Sequence, residues 1–360
     1  MFQIMSQAKE MEKSGSPMTH FELGDPSFDT PWEAKAGVFE ALIANKTHYA
    51  PSRGIPELLE IAQDVTEKSR GFRPTKEQLL VTPGANWQIY AAIACTCNPG
   101  DCVLVPDPGF VSYWSICRML GVKAIPYSSV ADIGKKLYKN KMIIVNSPNN
   151  PTGEVLSNDD VLTIYGWAKY YGMWILSDEI YARMIYEKSF ASPSKQDACT
   201  ERTIIVNGFS KSYAMTGWRL GVMTGPEELM AKCQLLLETE QSCVSTPVQY
   251  AGVEALCMSQ WIIKDMVNSL AEKRHDMIEG LWKVDLSCKY PDGAFYAWVP
   301  APRGYSGDVF AEHLLKHGVV VTPGSVFGNN GVGHIRICFA VDTNVIAEGL
   351  KKMAKAMEAL

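Results

Sequence analysis

The sequence predicts an α/β fold in which a large, mainly parallel sheet lies between helices and a smaller α/β unit follows it. Three observations predict this. Apolar runs of strand length alternate with helical periods through the middle of the chain. The residues richest in chemistry each fall just beyond one of those runs, where ligands bind in sheets of this kind. Past about Trp261 the pattern changes to one long charged helix, two more strands and a terminal helix.

Taken in order, residues 78–82 form an apolar run short enough for a buried strand, and residues 87–97 carry the helical period that follows it. Strands are expected again at 102–105, 142–146, 173–177 and 203–207, each rich in β-branched or aliphatic residues. Gly84, Phe110, Asn150, Asp178 and Lys211 follow the first to the fifth of these strands in turn. A helix is expected over 262–282, strands over 295–299 and 334–339, and a last helix after Thr343. There is no internal repeat and no low-complexity linker, so the two parts are expected to pack closely.

With 360 residues, 47% of them apolar, the chain can bury a substantial core. The formal charge is −5, and basic residues are scattered among acids, which argues against a nucleic-acid partner. Ten cysteines include Cys95, Cys97 and Cys102, yet none forms a C-x-x-C pair. Reduced thiols in a cytoplasmic enzyme are expected. Residues 1–12 lack the apolar run of roughly 7–15 residues that a signal peptide needs. No span approaches the ~20 apolar residues of a membrane helix.

The candidate chemistry centres on Lys211, in Ser210-Lys211-Ser212-Tyr213-Ala214-Met215-Thr216-Gly217-Trp218-Arg219. A lysine among apolar neighbours loses its proton more easily and can attack an aldehyde, while Arg219 stays charged and can hold a phosphate. That pairing suits pyridoxal 5'-phosphate, which is both an aldehyde and a phosphate ester. Asp178 ends an apolar strand; its carboxylate can keep a pyridine nitrogen protonated, although a strand-end Asp also serves as a helix cap. Tyr181 can donate to the ring's 3-oxygen or be a core tyrosine with a satisfied hydroxyl. Asn150 sits in a turn whose Asn, Pro and Gly are explained by turn chemistry alone. Gly84-Ala85-Asn86 opens a helix whose free amides favour an anion. Phe110 can stack on an aromatic ring or fill core. Arg336 lies inside an apolar strand and needs an anion there, either a substrate carboxylate or a structural salt bridge.

This set resembles the fold-type I pyridoxal-phosphate enzymes, and among them the class I/II aminotransferase family. The resemblance runs from Leu23-Gly24-Asp25-Pro26 through Tyr49-Ala50-Pro51, the Asn150-Pro151-Thr152-Gly153 turn, Asp178-Glu179-Ile180-Tyr181 and the lysine motif to Thr322-Pro323-Gly324-Ser325 and the Arg336 strand. It implies a seven-stranded, mainly parallel sheet in a large cofactor-binding domain over 31–260. A small domain would span 261–360, with residues 1–30 as an arm that joins it. It implies that Lys211 forms the Schiff base and shuttles the substrate Cα proton, that Asp178 pairs with the ring nitrogen, and that Asn150 and Tyr181 hold the 3-oxygen. Phe110 would stack on the ring, and Gly84, Ala85, Asn86, Ser210 and Arg219 would surround the phosphate. Tyr49 would reach the phosphate of the other subunit, which implies a homodimer with shared sites. Arg336, with Asn150 and the Gly24 backbone, would clamp the substrate α-carboxylate.

The implied activity is transfer of an amino group from an L-amino acid to a 2-oxo acid. The alternative is a lyase, cyclase or decarboxylase using the same cofactor on the same fold. A non-catalytic sensor is a third reading, but no basic DNA-binding module is present. Two departures stand out: Gly208 occupies a place where many members carry a phosphate-touching serine, and Asn86-Trp87 a place where some aspartate-specific relatives carry lysine. The second argues against a dicarboxylate preference. His313 and His317 are one helical turn apart, with no third metal ligand in sight, and no metal is expected. The glycines of 328–333 read as a turn.

Overall fold

The structure is a computed structural model that describes residues 2–360. Numbered along the chain, its strands are β1 (Thr19–His20), β2 (Leu79–Thr82), β3 (Cys102–Pro106), β4 (Lys123–Tyr127), β5 (Asn140–Asn146) and β6 (Trp174–Asp178). They continue as β7 (Thr203–Val206), β8 (Gly221–Thr224), β9 (Tyr296–Pro300), β10 (Val319–Val320), β11 (Thr322–Pro323) and β12 (His334–Cys338). Seven of them form one sheet in the order β2-β8-β7-β6-β5-β3-β4. Only β8 runs antiparallel to its neighbours in it. The expected mainly parallel α/β architecture is therefore present, and each strand expected from the apolar runs lies within a few residues of its predicted place.

Two strands of the large sheet escaped the sequence pattern for physical reasons. β4 reads Lys-Ala-Ile-Pro-Tyr and lies at the sheet edge with none of its residues fully buried, so it carries a charge and a proline where an inner strand would be apolar. β8 is four residues long and follows the Lys211–Arg219 segment with no helix before it, so the strand-helix alternation gives no cue. The central strands β5, β6 and β7 are buried over nearly their whole length, as expected of parallel strands covered on both faces. One face packs Leu80, Val103, Met142, Leu176 and Met223 against Ile89 and Ile93 of the helix Ala85–Thr96.

Beyond the helix Gln260–Lys283, strands β11, β12 and β9 make an antiparallel sheet. The N-terminal strand β1 pairs in parallel with β10, which ties the start of the chain to this region. The core here holds Phe295, Tyr296, Phe310 and Phe339, and it also takes in Phe21 and the residues Ile180, Tyr181 and Met184 that follow β6. One continuous apolar cluster thus joins the end of the large sheet to the C-terminal layers.

A buried ion pair props the turn after β6. Arg70 ends the helix Pro56–Arg70, and its Nε donates to Glu179 Oε2 at 2.9 Å. Glu179 also accepts from Ser177 at 3.0 Å, and both charged side chains are almost wholly buried. Removing one partner leaves the other charge uncompensated in a medium of low dielectric constant. Arg70→Met is expected to cost about 3–5 kcal/mol of stability in urea denaturation. A loss below about 1 kcal/mol would show that Glu179 reaches solvent or protonates cheaply.

Candidate active site

The parallel register brings the ends of the central strands level: Asn146 of β5 faces Asp178 of β6, which in turn faces Val206 of β7. Residues just beyond each strand therefore converge. Asn146 fixes this corner, donating from its amide to the Asp178 carbonyl at 3.1 Å and accepting from the Asn150 backbone N–H at 2.8 Å.

Asp178 is 3% exposed. Its Oδ2 accepts from the Tyr113 hydroxyl at 2.5 Å and its Oδ1 from the Ile180 N–H at 3.2 Å. No ion pair among the described residues includes it. Burial pushes its pKa up to about 6, against the opposing pull of those two hydrogen bonds.

Lys211 reaches across from the loop after β7, where its Nζ donates to the Gly24 carbonyl at 2.5 Å. Burial lowers its pKa to about 8. The Lys211 loop is stapled to the N-terminal ribbon: Thr216 donates to Asp25 at 2.8 Å and Thr30 to the Ala214 carbonyl at 2.8 Å. Gly24 has no room for a side chain, because a Cβ there would lie 2.0 Å from the Tyr296 hydroxyl oxygen. That hydroxyl shares a hydrogen bond with Tyr181 at 2.7 Å.

Arg336 on β12 is 5% exposed. It donates to Asn150 Oδ1 at 2.9 Å and to the Glu22 carbonyl at 2.6 Å, with its guanidinium between the rings of Tyr296 and Phe327. Its Nε has no partner, and among the described residues no carboxylate pairs with it. Of the two readings open in the sequence, the structural salt bridge is absent among the described residues.

The helix Ala85–Thr96 begins beside Arg219. Its N-cap is Gly84, no side chain caps it, and its first N–H groups are open. Arg219 adopts φ 54°, a left-handed conformation that costs roughly 1–3 kcal/mol for a non-glycine residue. Its Nη2 comes so close that a Cβ on Gly84 would meet it at 2.8 Å. Arg219 donates only to carbonyls, those of Thr216 and Pro83. Ala85 and exposed Asn86 form the first turn, and Ser210 is buried next to Lys211.

Phe110 meets Tyr113 edge-on at 5.6 Å, which links it to Asp178. Tyr49 stands apart from this group and is 87% exposed. His313 and His317 each bond a backbone carbonyl, of Ala356 and His313 respectively. Sequence reasoning missed Tyr113 and Tyr296. Tyr113 lies one turn after Phe110 on the helix Val111–Met119, a spacing that could have drawn attention to it. For Tyr296 no local signal exists, since its partner Tyr181 is 115 positions away.

A sequence profile described as aminotransferase class I and II matches residues 16–353. The chain belongs to this family. It is 36% identical over 351 residues to the aspartate aminotransferase of Pyrococcus horikoshii, spanning 93% of this chain and 90% of that relative. It is 35% identical to aromatic-amino-acid aminotransferase 2 of Thermococcus litoralis, with the same coverage. The solved structure of aspartate aminotransferase from Thermus thermophilus with maleate superposes with a TM-score of 0.93 at 30% identity, covering 99% of this chain and 96% of that one. The chain is thus a pyridoxal-phosphate-dependent aminotransferase with the fold-type I architecture.

In this aminotransferase the ionised form of Asp178 opposes folding of the cofactor-free protein. Its folded pKa lies above the unfolded value of about 3.9, so this one group's contribution to stability is greatest below pH ~4 and is lost as pH rises from there to about 6. Asp178→Asn is therefore expected to stabilise the cofactor-free protein at pH 7 by on the order of 2 kcal/mol in urea titrations, with no gain at pH 4. Equal stability of the two proteins at both pH values would contradict this.

Proposed function

We propose that this aminotransferase carries an amino group from an L-amino acid to a 2-oxo acid by ping-pong half-reactions, with pyridoxal 5'-phosphate at the strand ends and Arg336 receiving the substrate α-carboxylate. One observation carries the reading: Arg336 is a buried guanidinium with no carboxylate partner among the described residues, bonded to Asn150 and near enough to Lys211 for its charge to help lower that pKa. A carboxylate in the bidentate fork would supply the missing charge.

The cofactor fits the donors present. Uncompensated Asp178 matches a protonated ring nitrogen, and the uncapped helix at Gly84, Ala85 and Asn86, with Arg219 and Ser210, matches a phosphate. Bound there, the cofactor supplies an aldehyde to condense with amines and a ring that accepts the electron pair released at the substrate Cα. Asp178 would keep the ring nitrogen cationic, Tyr181 and Asn150 would hold the 3-oxygen, and Phe110 would stack on the ring. Lys211, with its pKa lowered to about 8, would supply a free amine for the aldehyde, and its Nζ would take and return the Cα proton.

The active assembly in this proposal is a homodimer in which Tyr49 reaches the partner's phosphate site. In support, Trp32, Phe39, Leu42, Ile43 and Tyr49 expose large apolar surfaces close together in the chain, on and just after the helix Trp32–Ile43. The domain limits are proposed at 31–260 for the large domain and 261–360 for the small one, with residues 1–30 as an arm; Met1 lies outside the described residues. Pairing of β1 with β10 supports assigning the arm to the small domain. All ten cysteines are unbridged, which supports a reducing compartment such as the cytoplasm.

Lys211→Ala is expected to abolish the visible absorption of the bound cofactor together with turnover. A mutant retaining both would remove Lys211 from the mechanism. Arg336→Ala is expected to raise KM for amino donors by the worth of a charge-assisted pair, about 1.5–3 kcal/mol or roughly 10- to 150-fold, in steady-state assays. An unchanged KM would place the carboxylate elsewhere.

A further inference from the structure

The loop that carries Lys211 has a cavity on its other side. It measures about 860 Å³, within the range of small-molecule pockets. Gly208, Phe209, Ser212 and Tyr213 line it, whereas Lys211, Asp178, Asn150, Arg219 and Arg336 do not. Further walls come from the second half of the helix Pro56–Arg70, the beginning of the helix Gln260–Lys283, and Arg183 and Phe190 after β6. It is therefore separate from the site described above, which none of the comparisons or the proposed chemistry requires it to serve.

The walls specify the occupant. Ile61, Val65, Phe190, Phe209, Ile263 and Val267 supply an apolar lining. Lys68, Arg70, Arg183 and Lys264 are basic, and no Asp or Glu contributes to the wall. Arg70 is committed to Glu179, and Arg183 donates to Gln260 at 3.0 Å. Lys68 and Lys264 enter no ion pair among the described residues, so the lining carries uncompensated positive charge. The ring of Tyr213 contributes to the wall, while its buried hydroxyl oxygen lies beneath the surface with no hydrogen-bond partner among the described residues.

We propose that this cavity is a second ligand site, which takes a small apolar anion of the aromatic-carboxylate kind. The apolar lining covers its ring, and the basic side chains draw its charge. Such a ligand would touch at once the residues flanking Lys211 and the first turns of the helix that leads into the C-terminal layers.

The test uses 1-anilinonaphthalene-8-sulfonate, an aromatic anion that fluoresces in apolar surroundings, titrated into the holoenzyme without amino donor and again at saturating amino donor. One saturable site per chain is expected, displaced by phenylacetate and not by the amino donor. Val65→Trp, which fills the cavity, is expected to weaken dye binding by about ten-fold or more while leaving transamination within about two-fold. Lys264→Glu should weaken it by about three-fold or more, without altering the cavity volume greatly. Absence of saturable binding, displacement by the amino donor, or unchanged affinity in Lys264→Glu and in folded Val65→Trp would each overturn the proposal.

Discussion

Burial without compensation is the constraint around which this molecule is arranged. Asp178, Lys211 and Arg336 are drawn out of water at one end of a parallel sheet, and among the described residues none of them has an oppositely charged side chain to pair with. Each is held instead by neutral dipoles: a tyrosine hydroxyl and a backbone amide for the acid, a carbonyl for the lysine, a carbonyl and a side-chain amide for the arginine. Such groups fix direction and leave most of the charge unanswered. The fold tolerates this because strands buried on both faces and a continuous apolar cluster around Tyr181 and Phe295 supply stability elsewhere.

The contrast with Glu179 shows that the arrangement is selective. One residue after Asp178, this carboxylate is equally buried but has Arg70, Ser177 and Ser192 as partners. Its charge is answered within the protein, so it props the turn. Asp178 points to the other side and stays open to chemistry. Adjacent acids on one strand end thus divide into a structural and a reactive member through the partners that their environments allow.

Much of this was legible in the sequence because it is local. The inner strands announce themselves as apolar runs, and Gly84, Phe110, Asn150, Asp178 and Lys211 follow them directly. Strand β4 hid behind its lysine and proline, and β8 behind its brevity. The least legible features are partnerships. Tyr113 and Asp178 are 65 positions apart, Tyr181 and Tyr296 are 115 apart, and only the folded sheet brings them together. Arg336 was conspicuous as a charge in an apolar strand, but whether an internal acid neutralised it depended on what the neighbouring layers present.

The ribbon from β1 to Thr30 has an evolutionary corollary. It is strung between β10 and β12 on one side and the Lys211 loop on the other, and it meets the two cations through the carbonyls of Glu22 and Gly24. Main-chain oxygens are the same whatever residue bears them. Leu23 is exposed between those two carbonyls, so divergence can re-letter that position while the electrostatic fittings underneath persist unchanged.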